Sequence, residues 1–235
     1  MGPPTVGILS PGDMGSAIGQ VLHGNGLKVL TCLEGRSQLT RRRAQDAGFR
    51  EVASYDHLVA EADMLLSVLV PSEAVGLAQR VADSLRRTGA RPAYVECNAI
   101  APQTVADIHR IISEAGAPFI DAGIIGSPPR AEGNTRFYCS GLDCTALEAL
   151  RDFGLDVRTV GPVVGQASGL KMVYGASTKG AWALWIELLT AGRALGLSDA
   201  LMAELGAGNE TVNNYYTSGV TDAPRRVRRW IDEME

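Results

Sequence analysis

The chain has 235 residues, of which 46% are apolar and 20% charged, with a formal net charge of −4 at pH 7. This length and composition suffice to bury a substantial core, so they exclude a disordered polypeptide and predict one domain or a domain with an appendage. The acidic balance argues against general affinity for nucleic acids, and no apolar segment reaches the ~20 residues that a membrane span needs. The cysteines form no C-x-x-C motif and lie far from the histidines, which predicts reduced thiols and no metal site. We therefore expect a cytoplasmic protein without nucleic-acid or membrane partners.

The first predicted strand, residues 5–9, runs directly into a glycine-containing turn that precedes a helical pattern. Gly12 would let the backbone approach a pyrophosphate, and Gly15 would let the helix pack closely on the strand with its N-terminus facing the anion. Ser10 stands where the G-x-G-x-x-G motif has its first glycine, so an ordinary strand-turn-helix remains an alternative. The turn predicts six cofactor-binding residues: Ser10, Pro11, Gly12, Asp13, Met14 and Gly15.

The second predicted strand, residues 28–33, ends where a dinucleotide-binding fold distinguishes NAD from NADP. Glu34 lies where a carboxylate would accept a hydrogen bond from the ribose 2′-hydroxyl of NAD. Arg36 and Ser37, followed by three arginines at 41–43, would instead bind the 2′-phosphate of NADP. We favour NADP, with NAD as the alternative. A solvated turn residue without a role in binding is the other interpretation of Arg36.

Strands and helices alternate along the following hundred residues. This order predicts a Rossmann-like, doubly wound α/β sheet in a first domain, residues 1–163. The further predicted strands are residues 64–70, 93–97, 119–121, 136–139 and 156–160, and the predicted helices are residues 38–47, 72–87, 102–115 and 144–153.

A long helix is predicted at residues 167–195, which contain no proline and carry apolar residues at helical spacing. It has possible bends near Gly175 and Gly180, and its length of roughly 43 Å exceeds what a small sheet domain needs. We therefore expect an all-α second domain, residues 164–235, and a homodimer formed through it.

Five stretches of the chain carry motifs in a characteristic order and spacing: residues 7–15, 68–72, 95–102, 119–129 and 165–171. Together they resemble the β-hydroxyacid dehydrogenase family, which includes 3-hydroxyisobutyrate and 6-phosphogluconate dehydrogenases. The resemblance covers essentially the whole chain and is greatest to a branch with a short, distinct C-terminal domain. It implies an NAD(P)-binding Rossmann-like domain and places Val70 and Pro71 in the cofactor site. Because relatives continue through further helices after the point where this chain ends, the helical domain is expected to be shortened or incomplete.

The resemblance also implies catalytic residues. It gives Lys171 the role of general acid/base, which agrees with the chemistry, since a carbinol carbon releases hydride only as its hydroxyl proton leaves. It places Asn98 beside the nicotinamide and substrate, although a loop asparagine that bonds its own backbone is an equal alternative. Relatives anchor the substrate carboxylate with a serine where this chain has Ile125, so Gly126 and Ser127 are the expected donors.

The long helix supplies further candidates. Tyr174 and Thr178 follow Lys171 at spacings that place all three on one face of an α-helix, with Trp182 as a packing residue of that face. Relatives carry an asparagine one turn after the lysine, so Tyr174 indicates an altered substrate. We expect an oxidoreductase acting on a hydroxy acid or related carbinol or carbonyl substrate. An imine reductase and a non-catalytic dinucleotide-binding scaffold are the alternatives.

Overall fold

The computed structural model describes residues 2–130 and 134–208, together with Tyr215. Two compact units divide the chain, Met1–Lys171 and Met172–Glu235. The division falls inside the predicted long helix, later than the predicted boundary after residue 163. A predicted terminal helix after Pro224 lies outside the described residues.

The first unit is built on one eight-stranded sheet with the order β3-β2-β1-β4-β5-β6-β7-β8. All neighbouring strands are parallel except β6 and β7, which pair antiparallel. The chain starts in the middle of the sheet and moves outward in both directions, which confirms the predicted doubly wound fold. The strands are β1 Thr5–Ile8, β2 Lys28–Cys32, β3 Arg50–Val52, β4 Met64–Ser67, β5 Ala93–Glu96, β6 Phe119–Ile125, β7 Arg136–Ser140 and β8 Asp156–Gly161.

Helices cover both faces of this sheet, and an apolar cluster fills the space on each side. The central strands β4, β5 and β6 are buried along their whole length, which explains their nearly continuous apolar sequences. The helices of this unit are α1 Asp13–Gly24, α2 Gln38–Asp46, α3 Tyr55–Glu61, α4 Ala74–Thr88, α5 Pro102–Glu114 and α6 Thr145–Glu148, with short 3₁₀ turns at Pro71–Glu73 and Ala149–Phe153.

The main differences from the prediction concern four elements. Neither β3 nor α3 was predicted; both are short, and only Val52 of β3 and Leu58 and Val59 of α3 are buried. In β6, the strand continues past its predicted end at residue 121 to Ile125, because its last residues pair with β7. In β4, the strand ends at Ser67, before the predicted end at residue 70.

The long helix continues from the first unit into the second as α7 Gln166–Gly175, a π-helical turn Ala176–Gly180 and α8 Ala181–Ala194. The π-helical turn begins immediately after Gly175 and ends at Gly180, the two positions near which a bend was predicted. Next comes α9 Ser198–Ala207, which packs closely on α8, since a Cβ at Gly192 would lie 2.7 Å from Leu201 Cδ2. Among the described residues, no helix combines the length and hydropathy that crossing a bilayer requires.

Candidate functional site

The turn between β1 and α1 depends on glycine at two positions for different reasons. A Cβ at Gly15 would collide with the Ser10 carbonyl oxygen, so Gly15 is what lets α1 approach the end of β1. At Gly12, φ is −69°, which any residue can adopt, and among the described residues nothing lies within 4 Å of a Cβ placed there. The open side of Gly12 is therefore space that a ligand can use.

The N-terminus of α1 carries no side-chain cap in the described structure, because the capping residue is Gly12. By contrast, the hydroxyls of Ser37 and Ser54 accept hydrogen bonds from the first turns of α2 and α3. The first N–H groups of α1 consequently face the open side of the turn at the positive end of the helix dipole. This arrangement fits a phosphate or pyrophosphate.

The other residues of the turn support this geometry. Ser10 does not disrupt it, because no non-glycine residue in the described part of the chain has a positive φ, and serine therefore fits where the motif has glycine. Pro11 is buried, and Met14 packs against the core beside β1. Asp13 is exposed in the first turn of α1.

The segment after β2 contains the residues predicted to select the dinucleotide. Arg36 Nη2 donates to the Leu9 carbonyl oxygen at 3.4 Å, so its guanidinium reaches back to the end of β1. Ser37 is exposed and caps α2, and Glu34 is exposed at the rim of a cleft of about 240 Å³. Arg41 donates to the Leu33 carbonyl oxygen at 2.6 Å and pairs with a glutamate of β3. The candidates for both dinucleotides thus lie on one turn, with Arg36 directed toward the glycine turn.

Asn98 connects the ends of two adjacent strands. Its side chain is almost fully buried, with Oδ1 accepting from Leu69 N at 2.6 Å and Nδ2 donating to Ser67 Oγ at 3.0 Å. These bonds cross from the end of β5 to the end of β4 and do not close on the backbone of Asn98 itself. Val70 and Pro71 follow immediately, with Val70 53% exposed before the 3₁₀ turn. Asn98 thereby holds the segment that carries these two predicted cofactor residues.

Glu96, at the end of β5, is a fully buried carboxyl that the sequence analysis missed. Its Oε1 accepts from Asn98 N at 2.9 Å, and its Oε2 has no hydrogen-bond partner among the described residues. Burial raises the pKa of Glu96 to about 7, and the negative charge of Asp121 on the neighbouring strand acts in the same direction, while donors on Asn98 and Ser67 oppose it. An acidic residue within the apolar run 93–96 was the signal in the sequence.

Asp121, the register neighbour of Glu96 on β6, is also fully buried but is surrounded by donors. Its Oδ2 accepts from Ser140 Oγ at 2.9 Å, and from Gly165 N and Ser168 N at 2.9 and 3.1 Å. Its Oδ1 accepts from the hydroxyl of Ser168. Asp121 therefore caps the N-terminus of α7 from within the sheet.

Lys171 lies on α7, one turn beyond this cap. A Cβ at Gly123 would lie 2.8 Å from the Ala167 carbonyl oxygen and 3.1 Å from Lys171 Cβ, so α7 rests directly on β6. Burial raises the pKa of the Cys97 thiol at the end of β5, and the positive charge of Lys171 opposes that rise. The positive charge of Lys171 is therefore close enough to affect a thiol at the carboxyl end of β5.

The loop after β6 contains the predicted substrate donors Gly126 and Ser127, both exposed. Gly126 has φ +120°, and a Cβ there would collide with the Asn134 carbonyl oxygen. Thr135 donates its hydroxyl proton to the Ser127 carbonyl oxygen. The glycine and the serine carbonyl thus define the base of the β6–β7 hairpin.

Tyr174 and Thr178 lie in the second unit. Tyr174 is 46% exposed, and Thr178 Oγ1 donates to the carbonyl oxygens of Tyr174 and Gly175, both at 3.2 Å, within the π-helical turn. A π-helical turn widens the helix locally, so the spacing of an uninterrupted α-helix does not extend from Lys171 to Trp182. The predicted α-helical spacing therefore holds between Lys171 and Tyr174, which both lie on α7, but not through the π-helical turn to Thr178 and Trp182.

Comparison with known proteins gives consistent matches. The NAD binding domain of 6-phosphogluconate dehydrogenase matches residues 5–153. An uncharacterised 28.5 kDa protein of Methanothermus fervidus is 30% identical over 197 residues, which cover 84% of this chain and 74% of that protein.

Solved structures agree with these matches. A conserved protein of unknown function, whose structure is described as similar to 3-hydroxyacid dehydrogenases, superimposes with a TM-score of 0.79 at 31% identity, over 98% of this chain and 86% of that chain. An imine reductase from Myxococcus stipitatus, solved with NADP⁺, has a TM-score of 0.70 at 21% identity, over 96% of this chain and 78% of that chain.

Proposed function

Because this chain belongs to the β-hydroxyacid dehydrogenase-like family, we propose that it is an NAD(P)-dependent oxidoreductase acting on a hydroxy acid or a related carbinol or carbonyl substrate. The observation that carries the proposal is the pairing of an uncapped, glycine-lined helix N-terminus with a lysine seated over β6. When bound, a nicotinamide cofactor supplies or accepts hydride. The residues of the chain bind and orient the cofactor and the substrate, and they transfer the proton.

The glycine turn would hold the cofactor pyrophosphate. Backbone N–H groups of Asp13, Met14 and Gly15 lie in the first turn of α1, where a helix has no internal acceptors for them. The missing Cβ of Gly12 leaves room for the phosphate oxygens, while Ser10 and Pro11 shape the turn. Val70 and Pro71 would border the nicotinamide end, in the position that Asn98 maintains.

Lys171 would exchange a proton with the substrate oxygen as hydride leaves or joins the adjacent carbon. Two features support this role: the cap that Asp121 places on α7, and the absence of a Cβ at Gly123, which brings the lysine close to β6. Both features fix the backbone and Cβ of Lys171. Less conformational freedom is then lost when the amine reaches the substrate. Gly126, Ser127, Tyr174 and Thr178 remain the proposed substrate-binding residues, with Asn98 as the residue that holds the site.

NADP is the proposed cofactor. Arg36 has a guanidinium held by a weak 3.4 Å bond. The Ser37 oxygen caps α2 and lies 3.1 Å from Thr40 Oγ1, in a hydrogen bond that either hydroxyl can donate, so the Ser37 proton is available when Thr40 is the donor. Together they offer a charge and a donor to a 2′-phosphate. NAD is the alternative, with Glu34 accepting from the ribose 2′-hydroxyl.

A fluorescence titration of the full chain with NADPH and NADH in parallel tests the proposal. We expect both to bind, NADPH more tightly. Preference for NADH would transfer the ribose role to Glu34. Binding of neither would overturn the oxidoreductase proposal.

Imine reduction is the second candidate, favoured by Ile125, which is buried where relatives carry a carboxylate-binding serine. An apolar residue there suits an uncharged cyclic imine better than a hydroxy acid. Turnover of a cyclic imine with NADPH, without oxidation of 3-hydroxy acids with NADP⁺, would establish this activity. The reverse pattern would exclude it, and cofactor binding without turnover of either would indicate a scaffold.

We also propose a homodimer formed through the second unit. Gly192 is the only buried residue of α8, whereas Leu184 and Leu188 are 58% and 49% exposed. Apolar exposure of this extent on a helix is typical of an interface. Light scattering on the full chain should give a dimer mass, and a monomer mass would contradict the proposal.

A further inference from the structure

Two arginines converge on the carboxylate of Asp13, in the first turn of α1. Arg130 Nη2 lies 2.7 Å from Asp13 Oδ1, and Arg43 Nη2 lies 4.0 Å from the same oxygen. Arg43 comes from α2, and Arg130 comes from the loop after β6. A single carboxylate therefore faces two guanidinium groups and the positive end of α1, which leaves local positive charge in an acidic chain.

The strand order explains how Arg130 reaches this turn. Because β1 and β6 run in the same direction within the sheet, the loops that follow them leave it at the same edge. The base of the loop is held by Gly126, with its left-handed backbone, and by the bond from Thr135 to Ser127. Arg130 and Val21 of α1 line a common cleft of about 230 Å³. The hairpin thus directs Arg130 toward the helix that begins at the glycine turn.

The ion pair between Arg130 and Asp13 can be broken at little cost, which would let Arg130 bind a phosphate instead. The two side chains are 66% and 49% exposed, and ion pairs this exposed contribute little to stability. A guanidinium binds phosphate oxygens through two parallel hydrogen bonds, and a diphosphate offers it two negative charges where the carboxylate of Asp13 offers one. Arg43 is already placed to keep Asp13 paired when Arg130 turns away.

We propose that Arg130 binds the pyrophosphate of the dinucleotide, and that Asp13 holds its guanidinium beside the glycine turn until the dinucleotide arrives. The inference rests on the proposed cofactor-binding function and adds a residue from the β6–β7 loop to that site. The ligand group is the diphosphate, which NADH and NADPH share. Arg130 therefore contributes equally to the affinity for both, unlike a residue that reads the 2′-phosphate.

Fluorescence titration of four full-length proteins with NADH and NADPH tests this assignment: wild type, Arg130→Ala, Asp13→Asn and the control Arg110→Ala. Arg110 is an equally exposed arginine paired with Asp107 on α5. We expect Arg130→Ala to weaken both dinucleotides by roughly 10- to 100-fold, the range of a charge-assisted hydrogen bond. Asp13→Asn should tighten both by about threefold, because it removes the competing anion. Arg110→Ala should bind like wild type.

The opposite changes in affinity expected for Arg130→Ala and Asp13→Asn distinguish a residue that binds the ligand from an ion pair that only stabilises the loop. If the pair only fastened the loop to α1, both substitutions would weaken binding, and this result would overturn the inference. A loss confined to NADPH would overturn it too, since it would place Arg130 at the 2′-phosphate. Wild-type affinity in Arg130→Ala would refute the inference and leave the proposed function standing, whereas a wild type that binds neither dinucleotide refutes both.

Thermal unfolding of the ligand-free variants distinguishes a lost contact from a lost fold. Arg130 is exposed, so Arg130→Ala should unfold at the wild-type temperature. Should its transition be lowered, Arg130→Gln, which keeps the length and polarity of the side chain, is measured in its place. An unperturbed Arg130→Gln with wild-type affinity would again overturn the assignment.

Discussion

The N-termini of α1 and α7 satisfy the same backbone groups in opposite ways. α1 begins at Gly12 with no side-chain cap in the described structure, and its first N–H groups face open space. α7 begins under the buried carboxylate of Asp121, which accepts from Gly165 N and Ser168 N. The carboxylate of Asp121 thus accepts hydrogen bonds at the start of α7, whereas the start of α1 is open to an anionic ligand. Under the proposed function, α1 would bind the cofactor and α7 would fix the position of the proposed proton donor, Lys171.

The largest effect is expected at the side chain that the capped helix carries. Lys171→Ala should lower turnover about 10²- to 10⁴-fold, the usual contribution of a general acid/base, with cofactor affinity retained. Steady-state kinetics on the substrate that wild type turns over, a 3-hydroxy acid with NADP⁺ or a cyclic imine with NADPH, measures it. Lys28→Ala, which removes a half-exposed lysine paired with Glu61, is the control and should turn over normally. Equal rates in the two variants would remove Lys171 from the mechanism.

Removing the carboxylate of Asp121 should destabilise the first unit. Asp121→Ala leaves buried donors of Ser140, Gly165 and Ser168 without their acceptor, so we expect the free energy of unfolding to fall by about 3–5 kcal/mol. Denaturant unfolding measures the change. Asp107→Ala, on the exposed face of α5, should change it by less than about 0.5 kcal/mol. A loss at Asp121 no larger than at Asp107 would mean that the cap contributes nothing.

The second buried carboxyl should make stability depend on pH. The folded pKa of Glu96 is raised from 4.5 to about 7, so between these values the unfolded chain releases its proton first and stability falls as the pH rises. Glu96→Gln should abolish this decline and be more stable than wild type above pH 7 by roughly 3 kcal/mol. Urea unfolding at pH 5 and pH 8 tests both statements. Parallel pH profiles of wild type and Glu96→Gln would contradict them.

The smallest effects should distinguish the two glycines of the open turn. Gly15→Ala places a Cβ against the Ser10 carbonyl oxygen, so it should lower stability by about 1–3 kcal/mol as well as cofactor affinity. Gly12→Ala meets nothing in the described structure, so stability should change by less than about 1 kcal/mol while affinity falls roughly tenfold. Thermal unfolding and NADPH titration on the same samples separate the two. Unchanged affinity in Gly12→Ala would show that no ligand uses the open side.

Sequence patterns predicted the parts of the molecule whose physics is local. The central strands β4 and β5 are apolar on both faces, and the glycine turn has a spacing that its geometry dictates. The pair β3 and α3 escaped prediction because each buries too few residues to produce a periodic pattern. Element boundaries at β4 and β6 depended on strand pairing, which a single sequence does not display.

Most of the support around the candidate site lay beyond such patterns. The family resemblance indicated Lys171. The hydrogen bonds that Asp121 accepts from the start of α7, however, join residues 44 and 47 positions apart in the sequence. Likewise, the contact of Arg130 with Asp13 spans 117 positions. The π-helical turn changes the phase of the helix between Lys171 and Trp182. No local sequence pattern indicated this change, so the predicted face was extended through the turn.

The reversal of direction between β6 and β7 has a practical consequence. Because of it, residues 126–130 leave the sheet at the edge where the glycine turn opens, and Gly126, Ser127 and Arg130 are exposed there. Substitutions in such a loop leave the packing of β6 untouched. Under the proposed function, grafting this segment from one relative to another is therefore a route to altered substrate recognition on an unchanged sheet.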